Sequence, residues 1–178
     1  MGQQTLVRPA LRTTIAPTGV GVKSAADSFI AAEPWSPTRP ETLVICCSDG
    51  RWHAQVEEFV RAEVSERADL YAIPGGPASL NPRNAGDGNQ GAEHALRFLV
   101  QEHQLASIWL IAHENCAFYR LRYGPLSGEY IYCCQKEDVA RAAESIRQWF
   151  PELAVRQVYA SLDGDRVVFT WLNDEWMS

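Results

Sequence analysis

The amino-acid sequence predicts an α/β fold with a mostly parallel central sheet flanked by helices. Two short apolar segments, residues 42–47 and 107–112, have the composition of strands that are buried on both faces. Segments with helical spacing alternate with them, as expected for a parallel sheet covered by helices on both sides. Two later strands joined at Asp163-Gly164, a hairpin signal, predict an antiparallel edge strand.

The first half of the predicted domain contains two strands, one helix and a long loop. A helix is predicted after the strand at 42–47, and the apolar residues on its inner face are Val56, Phe59, Val60 and Val64. Residues 69–73 form the second strand. Residues 74–91, PGGPASLNPRNAGDGNQG, are dominated by turn-forming residues and predict a long loop.

The second half begins with a helix at 91–103 and the third strand at 107–112, both read from their apolar patterns. Residues 114–134 are rich in Tyr and are expected to be irregular or partly helical. The remaining predicted elements are a helix at 137–150 and strands at 154–161 and 166–172. The expected order along the sheet is 2-1-3-4, with strand 5 antiparallel at the edge.

Residues 1–40 are expected to form an extended N-terminal arm that precedes a single α/β domain at residues 41–178. The arm contains five prolines and little periodicity, and a short helix is predicted near residues 25–32. The composition of the whole chain, 46% apolar and 21% charged, is that of a globular protein.

Charge and hydropathy exclude several classes of partner. The formal net charge of −6 argues against nucleic-acid binding, which needs a basic face. No segment has the apolar length of a membrane span, and the N-terminus lacks the apolar core of a signal peptide. We therefore expect a cytoplasmic protein. Thiols stay reduced there, so the five cysteines favour metal binding or catalysis over disulfides.

Chemically active residues follow the first and third strands. Cys47 ends the first strand, and His113 and Cys116 follow the third. If these strands are neighbours, their carboxyl ends meet where ligands bind in such sheets. Two thiolates and one imidazole are suitable zinc ligands, and three protein ligands leave the fourth tetrahedral position open, which is typical of a catalytic site.

Asp49 and Arg51 are placed to control that open position. Asp49 is two residues from Cys47, so it can lie near the metal and accept a hydrogen bond from a zinc-bound hydroxide. Arg51 can hold the Asp49 carboxylate by a paired hydrogen bond. Without Arg51, Asp49 could become the fourth ligand and close the site.

These residues resemble the motifs of a known family. Residues 47–51 (CSDGR) and 113–116 (HENC) are similar to the Cys-x-Asp-x-Arg and His-x-x-Cys motifs of beta-class carbonic anhydrases. The resemblance extends from about residue 25 to the final strand. It implies one zinc ion per chain, bound by Cys47, His113 and Cys116, with Asp49 and Arg51 as a catalytic dyad.

The same resemblance implies reversible hydration of carbon dioxide to bicarbonate by a zinc-bound hydroxide. It also implies a homodimer or higher homo-oligomer in which the N-terminal arm packs on the partner. The expected substrate is small and neutral, and neither nucleic acid nor a membrane is an expected partner.

The sequence departs from the family beside the expected zinc site. The family's Arg-Asn-Ala-Gly-Asn after the second strand is replaced by residues 72–77, AIPGGP. Its glycines before the histidine and after the second cysteine are Ala112 and Ala117 here. Two alternatives therefore stay open. One is hydrolysis of carbonyl sulfide or carbon disulfide on the same scaffold, and the other is a non-catalytic zinc-binding relative.

Other candidates receive simpler interpretations. Cys46 should point to the opposite face of the strand from Cys47 and is expected to be core. Its spacing to Arg51 also fits a rhodanese-like anion loop, which would need Cys46 as nucleophile. Cys133 and Cys134 are expected to be core or to lie at a helix start. His53 is expected to be a surface or capping residue more than a proton relay.

Overall fold

A computed structural model of the chain describes residues 22–23, 28–64, 67–81, 84 and 89–172. The chain divides into two compact units, residues 1–38 and 39–178. In the first unit, β1 (Val22–Lys23) pairs antiparallel with β2 (Phe29–Ile30). The helix predicted near 25–32 is wrong for residues 28–32, and residues 24–27 lie outside the described part. So short an apolar run cannot offset the cost of helix nucleation.

The second unit is built on one five-stranded sheet. Its strands are β3 (Thr42–Cys47), β4 (Asp69–Ile73), β5 (Ser107–His113), β6 (Ala154–Asp163) and β7 (Arg166–Trp171). The order is β4-β3-β5-β6-β7, with parallel pairing from β4 to β6 and β7 antiparallel to β6. The predicted fold class and strand order are confirmed, and β3 and β5 are neighbours as expected.

Helices cover both faces of this sheet. The described helices of the second unit are α1 (His53–Val64), α2 (Asn89–His103), α3 (Ala117–Tyr123) and α4 (Gly128–Trp149), with a 3₁₀ turn at Gly76–Leu80 inside the predicted long loop. The helix predicted at 137–150 begins earlier than expected, at Gly128. The Ser127 hydroxyl accepts a hydrogen bond from the Tyr130 amide at 3.2 Å and caps this earlier start.

The apolar core lies in two layers, one on each face of the sheet. On one face, α2 and α4 pack on alternate residues of the central strands, such as Leu43, Ile45 and Leu110. On the other face, α1 packs on the intervening residues, such as Val44 and Trp109. This alternation follows from the pleat of the strands, which sends successive side chains to opposite faces.

Among the described helices, none has the length and apolar character needed to cross a membrane.

Candidate metal centre

Three metal-ligating side chains meet where β3 and β5 end. Cys47 is the last residue of β3, His113 is the last residue of β5, and Cys116 directly precedes α3. Their ligand atoms all lie within 4.8 Å of one another, and the two sulfur atoms are 3.8 Å apart. All three side chains are buried. The structure therefore brings together the three residues that the sequence predicts as ligands.

The histidine is oriented with one nitrogen free to bind a metal. Nδ1 of His113 donates a hydrogen bond to the Glu114 carbonyl at 2.8 Å, and the Trp52 ring lies beside the imidazole with a centroid distance of 4.7 Å. Nε2 is buried and has no hydrogen-bond partner. A buried nitrogen without a partner is unfavourable, so this lone pair fits a metal ligand whose other nitrogen is fixed by the backbone.

The two thiols are hydrogen-bonded to each other. A hydrogen bond from Cys116 lowers the pKa of the Cys47 thiol to about 4, against the opposing effect of burial. The backbone amides of Gly75 and Asp49 also lower it. The same thiol–thiol hydrogen bond, together with burial, raises the pKa of Cys116. These contacts thus favour the ionised form of Cys47, and thiolate is the form that binds zinc.

Asp49 is held by Arg51 beside this cluster and is not a member of it. The Arg51 guanidinium donates from Nε to Asp49 Oδ1 at 2.9 Å and from Nη2 to Oδ2 at 2.5 Å. This hydrogen bond lowers the pKa of Asp49 to about 2, so the carboxylate is ionised at neutral pH. The paired hydrogen bond expected from the sequence is present, and it engages both oxygens of the Asp49 carboxylate.

A glycine pair supports the Cys47 side of the site. Gly75 and Gly76 both have positive φ angles, 79° and 54°. A Cβ atom on Gly76 would lie 2.8 Å from the Cys47 amide nitrogen, and one on Gly75 would lie 2.7 Å from the Phe118 ring. The sequence predicted only a loop here. The structure shows that this turn packs against the strand end that carries Cys47.

The residues that depart from the family motif differ in burial and in their contacts. The methyl group of Ala112 packs in the core on the face covered by α2 and α4, whereas Ala117 is exposed at the start of α3. The replaced segment after β4 supplies the glycine turn, and Phe118 packs against it. The wall near the cluster is therefore apolar.

The structure also places the remaining cysteines and His53. Cys46 is core, and burial raises its pKa to about 12, which is unfavourable for the nucleophile of a rhodanese-like loop. Cys133 is exposed and Cys134 is half-buried, both inside α4, so neither marks a helix start. His53 donates from Nε2 to the Cys47 carbonyl at 3.1 Å, which is a capping contact.

Sequence reasoning missed the residues that surround the ligands. Gln135 and Asp138, one helical turn apart on α4, make buried hydrogen bonds near the cluster, and Tyr119 and Tyr159 are among their partners. The available signal was a pair of polar residues within an otherwise apolar helix face. It was missed because the predicted helix began at residue 137, which left Gln135 outside the helix that contains Asp138.

Comparison with known protein families gives a match that covers the segment containing this cluster. A family model described as "Putative carbonic anhydrase" matches residues 38–172. No functionally curated protein is similar enough in sequence to count as a match.

Solved fungal structures share the fold at low sequence identity. The beta-carbonic anhydrase CafA of Aspergillus fumigatus is 14% identical, with a TM-score of 0.51 and coverage of 77% of each chain. CafD of the same fungus is 14% identical, with a TM-score of 0.52 and coverage of 78% of this chain and 95% of its own. One of two tetrameric beta-carbonic anhydrases from Sordaria macrospora is 12% identical, with a TM-score of 0.51 and coverage of 76% and 84%.

Proposed function

Because the chain belongs to the beta-class carbonic anhydrase family as a divergent member, we propose that it catalyses the reversible hydration of carbon dioxide to bicarbonate with one zinc ion per chain. The observation that carries this proposal is the buried Cys47–His113–Cys116 cluster, in which Nε2 of His113 has no other partner. The donor set of two thiolates and one imidazole suits zinc and leaves one coordination position for water.

In the proposed site, Cys47, Cys116 and Nε2 of His113 would hold the zinc ion. When bound, zinc would lower the pKa of a coordinated water to about 7 and so would supply a nucleophile at neutral pH. The hydrogen bond from Nδ1 of His113 to the Glu114 carbonyl fixes the ring and keeps the proton off Nε2.

Asp49 acts as a hydrogen-bond acceptor that orients the attacking water. Its pKa of about 2 means that it stays ionised and cannot serve as a proton store near neutral pH. Arg51 has the complementary role of holding both carboxylate oxygens, which keeps Asp49 from becoming a fourth ligand. The proton released when a new water is ionised would therefore pass to solvent or buffer.

Hydrolysis of carbonyl sulfide or carbon disulfide is a second candidate. The apolar contact between Phe118 and the Gly75 turn supports it, because this wall replaces a polar segment of the family beside the cluster. These substrates are small and neutral like carbon dioxide, and the same nucleophile can attack their carbon atom.

The deciding experiment is stopped-flow hydration of carbon dioxide by protein of known zinc content, at neutral and alkaline pH. We expect activity that rises with pH, is lost in Asp49→Ala with zinc retained, and is lost in Cys47→Ala together with zinc. Full zinc without hydration at either pH would refute the proposal. The sulfur substrates would then be assayed, and inactivity toward all three would favour a non-catalytic zinc protein. Full activity in Asp49→Ala would show that the dyad assignment is wrong.

We further propose a cytoplasmic homo-oligomer in which residues 1–40 pack on a partner subunit. Exposed apolar side chains on the second unit, Leu121 at 90% and Tyr130 at 50% exposure, support burial against another chain. The tetrameric Sordaria protein of similar fold supports it as well. Sedimentation equilibrium should give a multiple of 19.9 kDa, whereas a monomer at micromolar concentration would contradict the proposal.

A further inference from the structure

Helix α4 carries two buried polar side chains that the proposed reaction does not use. Gln135 is 1% exposed and Asp138 is 5% exposed, and their spacing of three residues puts them on the same face of the helix. Burying an amide or a carboxylate is unfavourable unless its hydrogen bonds are satisfied. The partners of these two side chains therefore indicate why they are present.

Gln135 holds the strand end that carries the histidine ligand. Its Nε2 donates to the His113 carbonyl at 2.7 Å, and its Oε1 accepts from the Tyr159 hydroxyl at 3.1 Å. The peptide of His113 is thus bound on its carbonyl side by Gln135, while the ring is bound on its Nδ1 side by the Glu114 carbonyl. Gln135 fixes the backbone from which the imidazole projects.

Asp138 holds the two other ligand-bearing segments. Its Oδ2 accepts from the Tyr119 hydroxyl at 2.7 Å, and Tyr119 lies on α3, three residues after Cys116. Its Oδ1 accepts from Asn81 Nδ2 at 2.6 Å, and Asn81 ends the 3₁₀ turn whose Gly76 packs on the Cys47 peptide. One carboxylate therefore joins the supports of both cysteine ligands.

We infer that Gln135 and Asp138 are positioning residues that set the geometry of the metal site from α4. Each metal ligand comes from a different segment, and these two side chains are hydrogen-bonded to all three segments or their immediate supports. The inference rests on the proposed zinc site, because positioning matters only if the three ligands bind one ion. Neither side chain contacts the metal position itself, so each acts through the groups that it holds.

The test measures metal binding separately from catalysis. We compare wild type with Gln135→Met and Asp138→Leu, which keep the side-chain bulk and remove the hydrogen bonds. Zinc affinity is measured by competition with a chromophoric chelator, and ligand geometry by the absorption spectrum of the cobalt-substituted protein. We expect affinity to fall about 10- to 100-fold, as is typical when a group that orients a metal ligand is lost, with an altered cobalt spectrum.

Two controls separate positioning from general destabilisation. Val139→Ala removes apolar volume from the neighbouring, fully buried position of α4 and should lower the unfolding temperature without changing affinity or spectrum. Asp138→Asn can still accept from Asn81 and can donate to the Tyr119 oxygen, so it should restore near wild-type affinity. If the larger substitutions prevent folding, Tyr119→Phe and Tyr159→Phe each remove a single hydroxyl and should weaken zinc binding in the same direction.

Folded variants with wild-type zinc affinity and an unchanged cobalt spectrum would overturn the inference. So would Val139→Ala changing both as much as Asp138→Leu does. Neither result depends on hydration activity. Wild-type protein that binds zinc fully and hydrates no carbon dioxide would instead refute the proposed function and leave the positioning role to be decided by the metal measurements.

Discussion

Two neighbouring cysteines illustrate how strongly position on a strand decides the chemistry of a residue. Cys46 points into the apolar layer under α1, where burial raises its pKa to about 12. Cys47 points to the other face, where hydrogen bonds lower its pKa to about 4. The side chains are identical, and the alternation of the strand makes one of them core and the other a candidate ligand. A shift of one residue in register would exchange the two.

Gly76 is a second residue whose identity is dictated by its position. We expect Gly76→Ala to lower the free energy of unfolding by roughly 3 kcal/mol, because it adds both positive-φ strain and overpacking. The added methyl group would meet the Cys46–Cys47 peptide at 2.8 Å, so zinc affinity should fall as well. Urea unfolding and chelator competition measure the two effects.

The matched control for this substitution is Gly164→Ala. Gly164 also has a positive φ, 62°, but an added Cβ would meet nothing within 4 Å. It should lose only about 1 kcal/mol through strain and should keep its zinc affinity. Equal effects of the two substitutions would show that the contact with Cys47 is unimportant.

The Asp49–Arg51 pair makes a pH-dependent contribution to stability. The pKa of Asp49 is lowered from 3.8 to about 2 in the folded protein, so the ionised form is the stabilising one. Its contribution is fully present above the unfolded pKa and is lost as the pH falls through the folded pKa. We expect Asp49→Asn to destabilise the protein more at about pH 6 than at about pH 2.5. Since Arg51 is 63% exposed, the effect should be small.

Urea unfolding of both proteins at the two pH values, in the same metal state, measures this difference. Arg51→Met should reproduce the pH dependence, because it removes the partner that lowers the pKa. A destabilisation by Asp49→Asn that is the same at both pH values would contradict the linkage.

At the scale of elements, α4 is the most consequential helix. It begins at Gly128, packs its apolar face on the sheet, and presents Gln135 and Asp138 to the ligand-bearing segments. Its first turns lie beside α3, and Tyr130 in the first turn and Leu126 just before the helix are both exposed. The ordering of this start therefore affects both the metal site and the proposed oligomer surface.

We expect Ser127→Ala to destabilise the protein by about 1 kcal/mol through loss of the helix cap. The Ser127 hydroxyl accepts the Tyr130 amide at the first turn of α4. Ser127→Asp, which retains an acceptor at the same place, should restore the stability. Thermal unfolding followed by circular dichroism measures the change, and an unchanged midpoint for Ser127→Ala would show that the cap contributes nothing.

The strands and most helices were predictable from the sequence because their signals are local. A continuous apolar run at 42–47 and the periodic apolar residues of α1 need no tertiary information. The start of α4 was not predictable in this way. Its cap lacks the Glu or Gln of a capping box three residues later, where Tyr130 stands. Its first five residues include Gly128 and two tyrosines, which have weak helix propensity.

The same distinction applies to the candidate site. The proposed ligands and the Asp49–Arg51 pair lie in two short motifs at strand ends, so their spacing in the sequence was enough to identify them. Gln135 and Asp138 differ because their partners are up to 57 residues away in sequence. Their role depends on how α4 packs, and no local pattern encodes that.

At the scale of the whole molecule, a bound metal would join segments that are distant in sequence. Cys47 ends β3, whereas His113 ends β5 and Cys116 follows it. A ligand that binds only the folded state stabilises it, by about 4 kcal/mol when its free concentration is a thousand times the dissociation constant. We expect a strong chelator to lower the unfolding temperature of the zinc-loaded protein by several degrees.

Differential scanning calorimetry with and without chelator measures this shift, and added zinc should reverse it. Cys47→Ala serves as the control, because a protein that has lost one ligand should respond little to either treatment. An identical unfolding temperature for zinc-loaded and chelated wild type would show that the metal does not bind the folded chain tightly.

The distance of 3.8 Å between the Cys47 and Cys116 sulfur atoms has a further consequence for how the metal-free protein responds to oxidants. Two thiols this close need only a small approach to form a bond of about 2 Å under oxidation. A disulfide would join the two sulfur atoms that would otherwise bind the metal ion as thiolates. Oxidation and metal binding therefore exclude each other. Protein that loses its metal in air would become locked in an inactive form until a reductant reopened it. The activity of a preparation would then depend on how far its metal-free form had been oxidised.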